Sequence, residues 1–124
     1  MRALIVDDSR CMREFLAQHL RKLGVQCSEA GDGCVALDLL RVDDAFDLML
    51  IDVNMPIMDG LECVRHLRTE GLAKQAKVMM VTTEADHRFI EQALDFGADE
   101  FLMKPFTAQS MREKLILLGF KMAA

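Results

Sequence analysis

Five short apolar runs punctuate the chain, and between them apolar residues return at helical spacing. The first run, "ALIV" (Ala3–Val6), is followed by Met12, Phe15, Leu16, Leu20 and Leu23, a one-sided stripe that stops at Gly24. The second, "VQCSEA" (Val25–Ala30), is weaker and meets a "GDG" turn, after which Val35, Ala36, Leu39 and Leu40 mark a short helix. "FDLMLI" (Phe46–Ile51) is the third run, and Leu61, Val64 and Leu67 line the helix after it. "KVMMVT" (Lys77–Thr82) precedes a helix carrying Phe89, Ile90, Ala93 and Leu94, closed by Gly97. "EFLM" (Glu100–Met103) is the last strand, and Met111, Leu115 and Leu118 line the last helix.

Strands that are apolar on consecutive residues are covered on both faces, which marks a parallel sheet. Alternation with helices gives right-handed βα units. The expected fold is therefore α/β: a single, open, doubly wound sheet of five parallel strands. At 124 residues the chain has the size of one domain, and no linker, repeat or low-complexity segment divides it. One domain over residues 1–124, with no output domain, is the expected organisation.

Composition narrows the function. Apolar residues make up 52% of the chain, which argues for a packed core, and the net charge of −5 offers no basic excess for nucleic acid. No run of about 18 apolar residues exists, so membrane insertion is not expected. The start, "MRALIVDDS", meets acid too soon for a signal peptide. The four Cys show neither a C-x-x-C pair nor zinc spacing with the three His, and read as reduced thiols of a cytoplasmic protein. The ten Met read as core gap-fillers.

In an open parallel sheet, ligands bind beyond the carboxyl ends of the strands. Here the first strand runs into Asp7 and Asp8, the third into Asp52, the fourth ends in Thr82, and the fifth runs out into Lys104-Pro105. An Asp after a strand is ordinarily a helix cap or turn former, and Asp8 or Ser9 could serve the first helix that way. Capping does not explain three carboxylates, a hydroxyl and an ammonium gathered at one sheet edge. Such carboxylates repel one another and their pKa values rise unless a cation is near. A hard divalent ion such as Mg²⁺ resolves the conflict. Lys104 is a point charge suited to a phosphoryl oxygen, and Thr82 can donate a hydrogen bond to another. A carboxylate can act as nucleophile in phosphoryl transfer, and Asp52, ending the middle strand, is the natural acceptor.

Asp7-Asp8, Asp52 within "DVNMPIMDG", Thr82 and Lys104-Pro105 together resemble the signature of response-regulator receiver domains, over the whole chain and most closely the stand-alone chemotaxis type. The resemblance implies a flavodoxin-like (βα)5 fold with strand order 2-1-3-4-5, an order that the family supplies and that periodicity alone leaves open. It implies that Asp52 accepts a phosphoryl group from a histidine kinase. Asp8, Asp52 and the backbone carbonyl of Asn54 would bind Mg²⁺, with Asp7 acting through water. Lys104 would contact the phosphoryl group, and its bond to Pro105 would be cis. Thr82 would swing toward the phosphate and Phe101 would repack with it, a two-state switch biased by added charge.

The chemistry implied is self-phosphorylation and self-dephosphorylation only, in a monomer that acts by binding a downstream target or a histidine phosphotransfer protein. Asn54 and Glu84, two residues past Asp52 and Thr82, match the chemotaxis regulators and imply a short-lived phosphoryl-aspartate. Phe101 stands where those members usually carry Tyr, and His87 where they carry Lys; both weigh against direct flagellar-motor binding. Motor regulation, a phosphorelay step and a phosphate sink all remain open at this level. A haloacid-dehalogenase-like phosphatase would need a second Asp where Asn54 stands. A flavodoxin-like flavin carrier would want a phosphate-cradling loop where "VDDSRCM" places acids. Among the remaining residues, His19, His66, His87, Arg65 and Arg68 read as solvated helix faces. Phe89, Ile90, Phe96, Phe101, Phe106 and Met111 read mostly as core.

Overall fold

A computed structural model describes residues 1–122. Five parallel strands alternate with five α-helices: β1 (Arg2–Val6), α1 (Arg10–Lys22), β2 (Gln26–Ala30), α2 (Gly33–Val42), β3 (Leu48–Asp52), α3 (Gly60–Thr69), β4 (Lys77–Thr82), α4 (Ile90–Asp95), β5 (Glu100–Met103) and α5 (Ala108–Leu117). The sheet order is β2-β1-β3-β4-β5, with every neighbouring pair parallel. Chain order and sheet order part company at β1, whose two neighbours are β2 and β3. That break opens a crevice at the carboxyl edge between β1 and β3.

Successive strand residues point to opposite faces, so the sheet feeds two cores. Leu4, Val6, Met49, Ile51, Val78 and Met80 pack with α2, α3 and α4 on one side. Ala3, Ile5, Leu48, Leu50, Met79 and Val81 pack with α1 and α5 on the other. Every residue of β3 is buried, as a central strand covered on both faces requires. β2 is an edge strand and largely exposed, the reason its apolar signal is weak.

The helices depart from the expected stripes in instructive places. In α2 the buried set is Gly33, Ala36, Leu37 and Leu40, while Val35 and Leu39 face outward. Those four follow the i, i+3, i+4, i+7 spacing of one helix face. Phe15 is also exposed, and α1 buries Leu16, Ala17 and Leu20 instead. The fourth helix is short, because a 3₁₀ turn at His87–Phe89 occupies what would have been its first turn. His87, expected on a solvated helix face, therefore lies in that 3₁₀ turn, before α4. Ile90 and Met111 are core residues, Phe89, Phe101 and Phe106 pack against the core only partly, and Phe96 is exposed. Among the described residues, no helix is long and apolar enough to cross a membrane.

Candidate functional site

The site is built from strand ends. Val6 of β1 pairs with Ile51 of β3, so the residues that follow them, Asp7 and Asp52, emerge side by side. Both are buried, at 1% and 8% exposure, while the adjacent Asp8 is exposed. One carboxylate oxygen from each of the three lies within 4.8 Å of the others. Asp7 Oδ1 accepts the Ser9 backbone N–H at 2.8 Å, whereas buried Asp7 Oδ2 has no hydrogen-bond partner. Ser9 is also the N-cap of α1, accepting from the Met12 N–H at 3.2 Å, so capping by Ser9 and acid placement coexist in one turn.

Lys104 arrives from the far side of the sheet. It follows β5, and its N–H donates to the Thr82 carbonyl at 2.6 Å, holding the loop against β4. From there the side chain reaches past the end of β4. Its Nζ stands 3.5 Å from Asp52 Oδ1 and 3.6 Å from Asp7 Oδ2. The Lys104–Pro105 bond is cis, as the family resemblance implied.

The loop after Asp52 is fixed by backbone contacts. The Asn54 N–H lies 3.4 Å from Asp52 Oδ1, and the Gly60 N–H donates to the Val53 carbonyl at 2.9 Å. A Cβ at Gly60 would collide with the Asp52 carbonyl oxygen and crowd the Val53 Cα at 2.9 Å. Only glycine lets the start of α3 close on the backbone that carries Asp52. Asp59 then caps α3 by accepting from the Glu62 N–H at 2.9 Å.

One ammonium does not balance these acids. Burial pushes the Asp52 carboxyl up to about 6, against the pull of Lys104 and with a further push from Asp7. Asp7 is raised as well, chiefly by burial, with the Ser9 N–H and Lys104 opposing. A dication among these oxygens reverses both shifts, because it favours the charged form of every ligand it touches. The all-oxygen donor set and the orphaned Asp7 Oδ2 fit a hard cation of the Mg²⁺ type.

The remaining expected residues sit around this centre in different ways. Thr82 is fully buried, and its hydroxyl donates to the Thr83 carbonyl at 3.1 Å. Asn54 and Glu84 are exposed at the rim. Phe101 of β5 is partly buried, packed against the core and flanked by the His87 ring at 5.0 Å and the Lys114 ammonium at 4.0 Å. Two contributors escape a reading of periodicity. Arg13 donates to the Asp7 carbonyl at 2.7 Å and pairs with Glu29 at 3.1 Å, although its place on α1 suggests solvent. Gly60 is the other; its hint lies in the Asp-Gly step that opens α3.

The chain matches the response regulator receiver domain family over residues 3–116. It is 40% identical over 116 residues to "Chemotaxis protein CheY-3" of Vibrio cholerae, spanning 93% of this chain and 88% of that protein. It is equally 40% identical over 116 residues to "Chemotaxis protein CheY" of Pseudomonas aeruginosa, spanning 93% of each. Among solved structures, that of Vibrio cholerae chemotaxis protein CheY4 superposes with a TM-score of 0.84 at 32% identity, covering 94% of this chain and 96% of that one.

Proposed function

The chain belongs to the response regulator receiver family, and on that premise we propose that Asp52 accepts a phosphoryl group from a phosphohistidine on a partner kinase. The observation that carries this reading is the convergence of Asp7, Asp8, Asp52 and Lys104 from three separated stretches on one point. In the transfer, an Asp52 oxygen forms the bond to phosphorus as the P–N bond breaks, and the electron pair leaves with the imidazole nitrogen. Lys104 would hold a phosphoryl oxygen. The Thr82 hydroxyl would have to turn from the Thr83 carbonyl to reach another.

Asp8 and Asp52 would hold Mg²⁺ directly together with the Asn54 backbone carbonyl, and Asp7 would do so through water. Bound there, the ion supplies charge neutralisation for the carboxylates and the incoming phosphoryl oxygens. The chemistry is confined to the protein's own carboxylate, in self-phosphorylation and self-dephosphorylation, and the phosphatase reading lacks its acid because position 54 is Asn. The turn of Thr82 vacates space beside β4 into which Phe101 repacks, so that charge at Asp52 is read at the β5–α5 surface. The output is binding to a downstream protein, of the chemotaxis type that the relatives' names describe.

Beryllofluoride with Mg²⁺ mimics a phosphoryl group on a carboxylate. Wild-type protein should bind it and Asp52→Asn should not, as read by chemical-shift changes in the backbone amides of Thr82 and Phe101. Equal binding by the variant contradicts the assignment of Asp52.

A further inference from the structure

Arg13 stands in the first turn of α1, yet its side chain turns back toward the end of β1, with only 17% of it exposed. Nη1 donates to the Asp7 carbonyl at 2.7 Å, and Nε donates to Glu29 of β2 at 3.1 Å. A Cβ at Gly31 would lie 3.7 Å from the same Nη1. The guanidinium thus bridges the start of α1, the end of β1 and the end of β2. What it holds is the peptide between two of the acids. A peptide unit is planar, so fixing the Asp7 carbonyl also fixes the Asp8 N–H across the bond. Asp7 is secured elsewhere too: its N–H donates to the Ala30 carbonyl at 3.1 Å, and its Oδ1 accepts the Ser9 N–H at 2.8 Å. Asp8 has no such support. It is exposed, and its carboxylate has no hydrogen-bond or ion-pair partner among the described residues.

One Asp8 oxygen nevertheless lies within 4.8 Å of oxygens of Asp7 and Asp52. Like charges so close repel one another, so the direction of Asp8 depends on the backbone that carries it. We infer that Arg13 is a positioning residue for the divalent cation: it pins the Asp7–Asp8 peptide so that the Asp8 carboxylate is aimed at the site before the ion arrives. Glu29 serves the same end by holding the other arm of the guanidinium. The inference rests on the Mg²⁺ reading of the acidic centre, and adds to it a residue that touches neither the ion nor the phosphoryl group.

Charge and position push in opposite directions here, which makes them separable. By Coulomb's law alone Arg13 is unfavourable, because a cation near a dication weakens its binding. Removing it would also leave Glu29 as an extra negative charge in the neighbourhood, a gain for the ion. Position argues the reverse. An unpinned Asp8 must be ordered when the ion binds, and that ordering is subtracted from the affinity. Groups that orient metal ligands change affinity by about 10- to 100-fold when they are removed. A single screened charge changes it by only about fivefold or less. Position therefore outweighs charge.

The test titrates Mg²⁺ into metal-free protein and follows the backbone amide shifts of Asp8 and Asp52, with urea unfolding measured alongside. Arg13→Met should bind Mg²⁺ about tenfold more weakly than wild type. Arg13→Lys keeps the charge and the stem, so the fold is retained, but its single ammonium is drawn to Glu29 and releases the neutral carbonyl. Its affinity should lie between those of wild type and Arg13→Met. Glu29→Gln keeps an acceptor for Nε while removing a charge, and should stay within about twofold of wild type. In metal-free Arg13→Met the order parameter of the Asp8 amide should drop below the wild-type value while those of β1 hold. Tighter Mg²⁺ binding by Arg13→Met, with weaker binding by Glu29→Gln, would mean that charge alone acts and would overturn the inference. So would a lowered unfolding midpoint with unchanged Mg²⁺ affinity in both Arg13 variants, the mark of a purely structural tie. If wild type itself shows no response to Mg²⁺, the reading of the acidic centre fails and takes this inference with it.

Discussion

Asp52 and Lys104 stand 3.5 Å apart, yet the carboxyl is raised to about 6 because loss of water outweighs the ammonium's attraction. That imbalance has a cost that can be measured in metal-free protein. In the unfolded chain Asp52 releases its proton near 3.8, and in the fold near 6. Between these values the native state holds the extra proton, so stability from this group is complete below about 4 and is lost as pH rises through 6. Asn has no proton to lose. Metal-free Asp52→Asn should therefore exceed wild type in stability at pH 7.5 by roughly 3 kcal/mol, at about 1.4 kcal/mol per pH unit across the interval. The gap should close toward pH 4. Urea unfolding in the presence of a chelator at the two pH values checks this, and a variant no more stable than wild type at pH 7.5 contradicts it. On the proposed function, the acceptor residue would thus also be a destabilising one, as expected of a group positioned for chemistry.

Between elements, the clearest structural tie is one that amphipathic periodicity hides. Arg65 and Arg68 both read as solvated positions on α3, but only Arg65 is exposed. Arg68 donates to the carbonyls of Gly97, Ala73 and Ala76 and to the Asp99 carboxylate, which itself accepts the Val78 N–H at 2.8 Å. One side chain so binds the end of α3 to the entries of β4 and β5. Arg68→Ala should cost about 2–4 kcal/mol, because it leaves several carbonyls and a partly buried carboxylate without their donor, while Arg65→Ala should fall within about 0.5 kcal/mol of wild type. Thermal or urea unfolding separates them, and equal effects would refute the role given to Arg68. The contrast shows what sequence could convey at this scale. Strands buried on both faces are legible as unbroken apolar runs, and β3 is the clearest example. Helix faces are less so: Val35, Leu39 and Phe15 are apolar yet outward, and nothing in their spacing separates them from Ala36, Leu37 and Leu16. The 3₁₀ turn before α4 is set by the loop geometry around Asp86 and has no periodic signature at all.

For the molecule as a whole, the legible part was the carboxyl edge. Four strands end in polar residues, a pattern that does not hang on any one element, and the structure brings Asp7, Asp8, Asp52 and Lys104 together there. The order of the strands was not readable from the apolar pattern, since it depends on which crossovers pack, and it came through family resemblance. The orientation of Thr82 was equally hidden, because a buried hydroxyl can face either its own loop or the site. The bond from Arg13 to the Asp7 carbonyl was out of sight too, because the place of Arg13 on α1 suggests solvent. What joins these scales is one claim: Asp52 is a phosphoryl acceptor in an acidic centre that completes itself with Mg²⁺. The most direct measurement is the intact and peptide-resolved mass of the protein after treatment with phosphoramidate and Mg²⁺. The account predicts one added phosphoryl group, located on Asp52, not formed when a chelator removes the ion and absent in Asp52→Asn. A protein with no added mass, or with the same addition in Asp52→Asn, would contradict it.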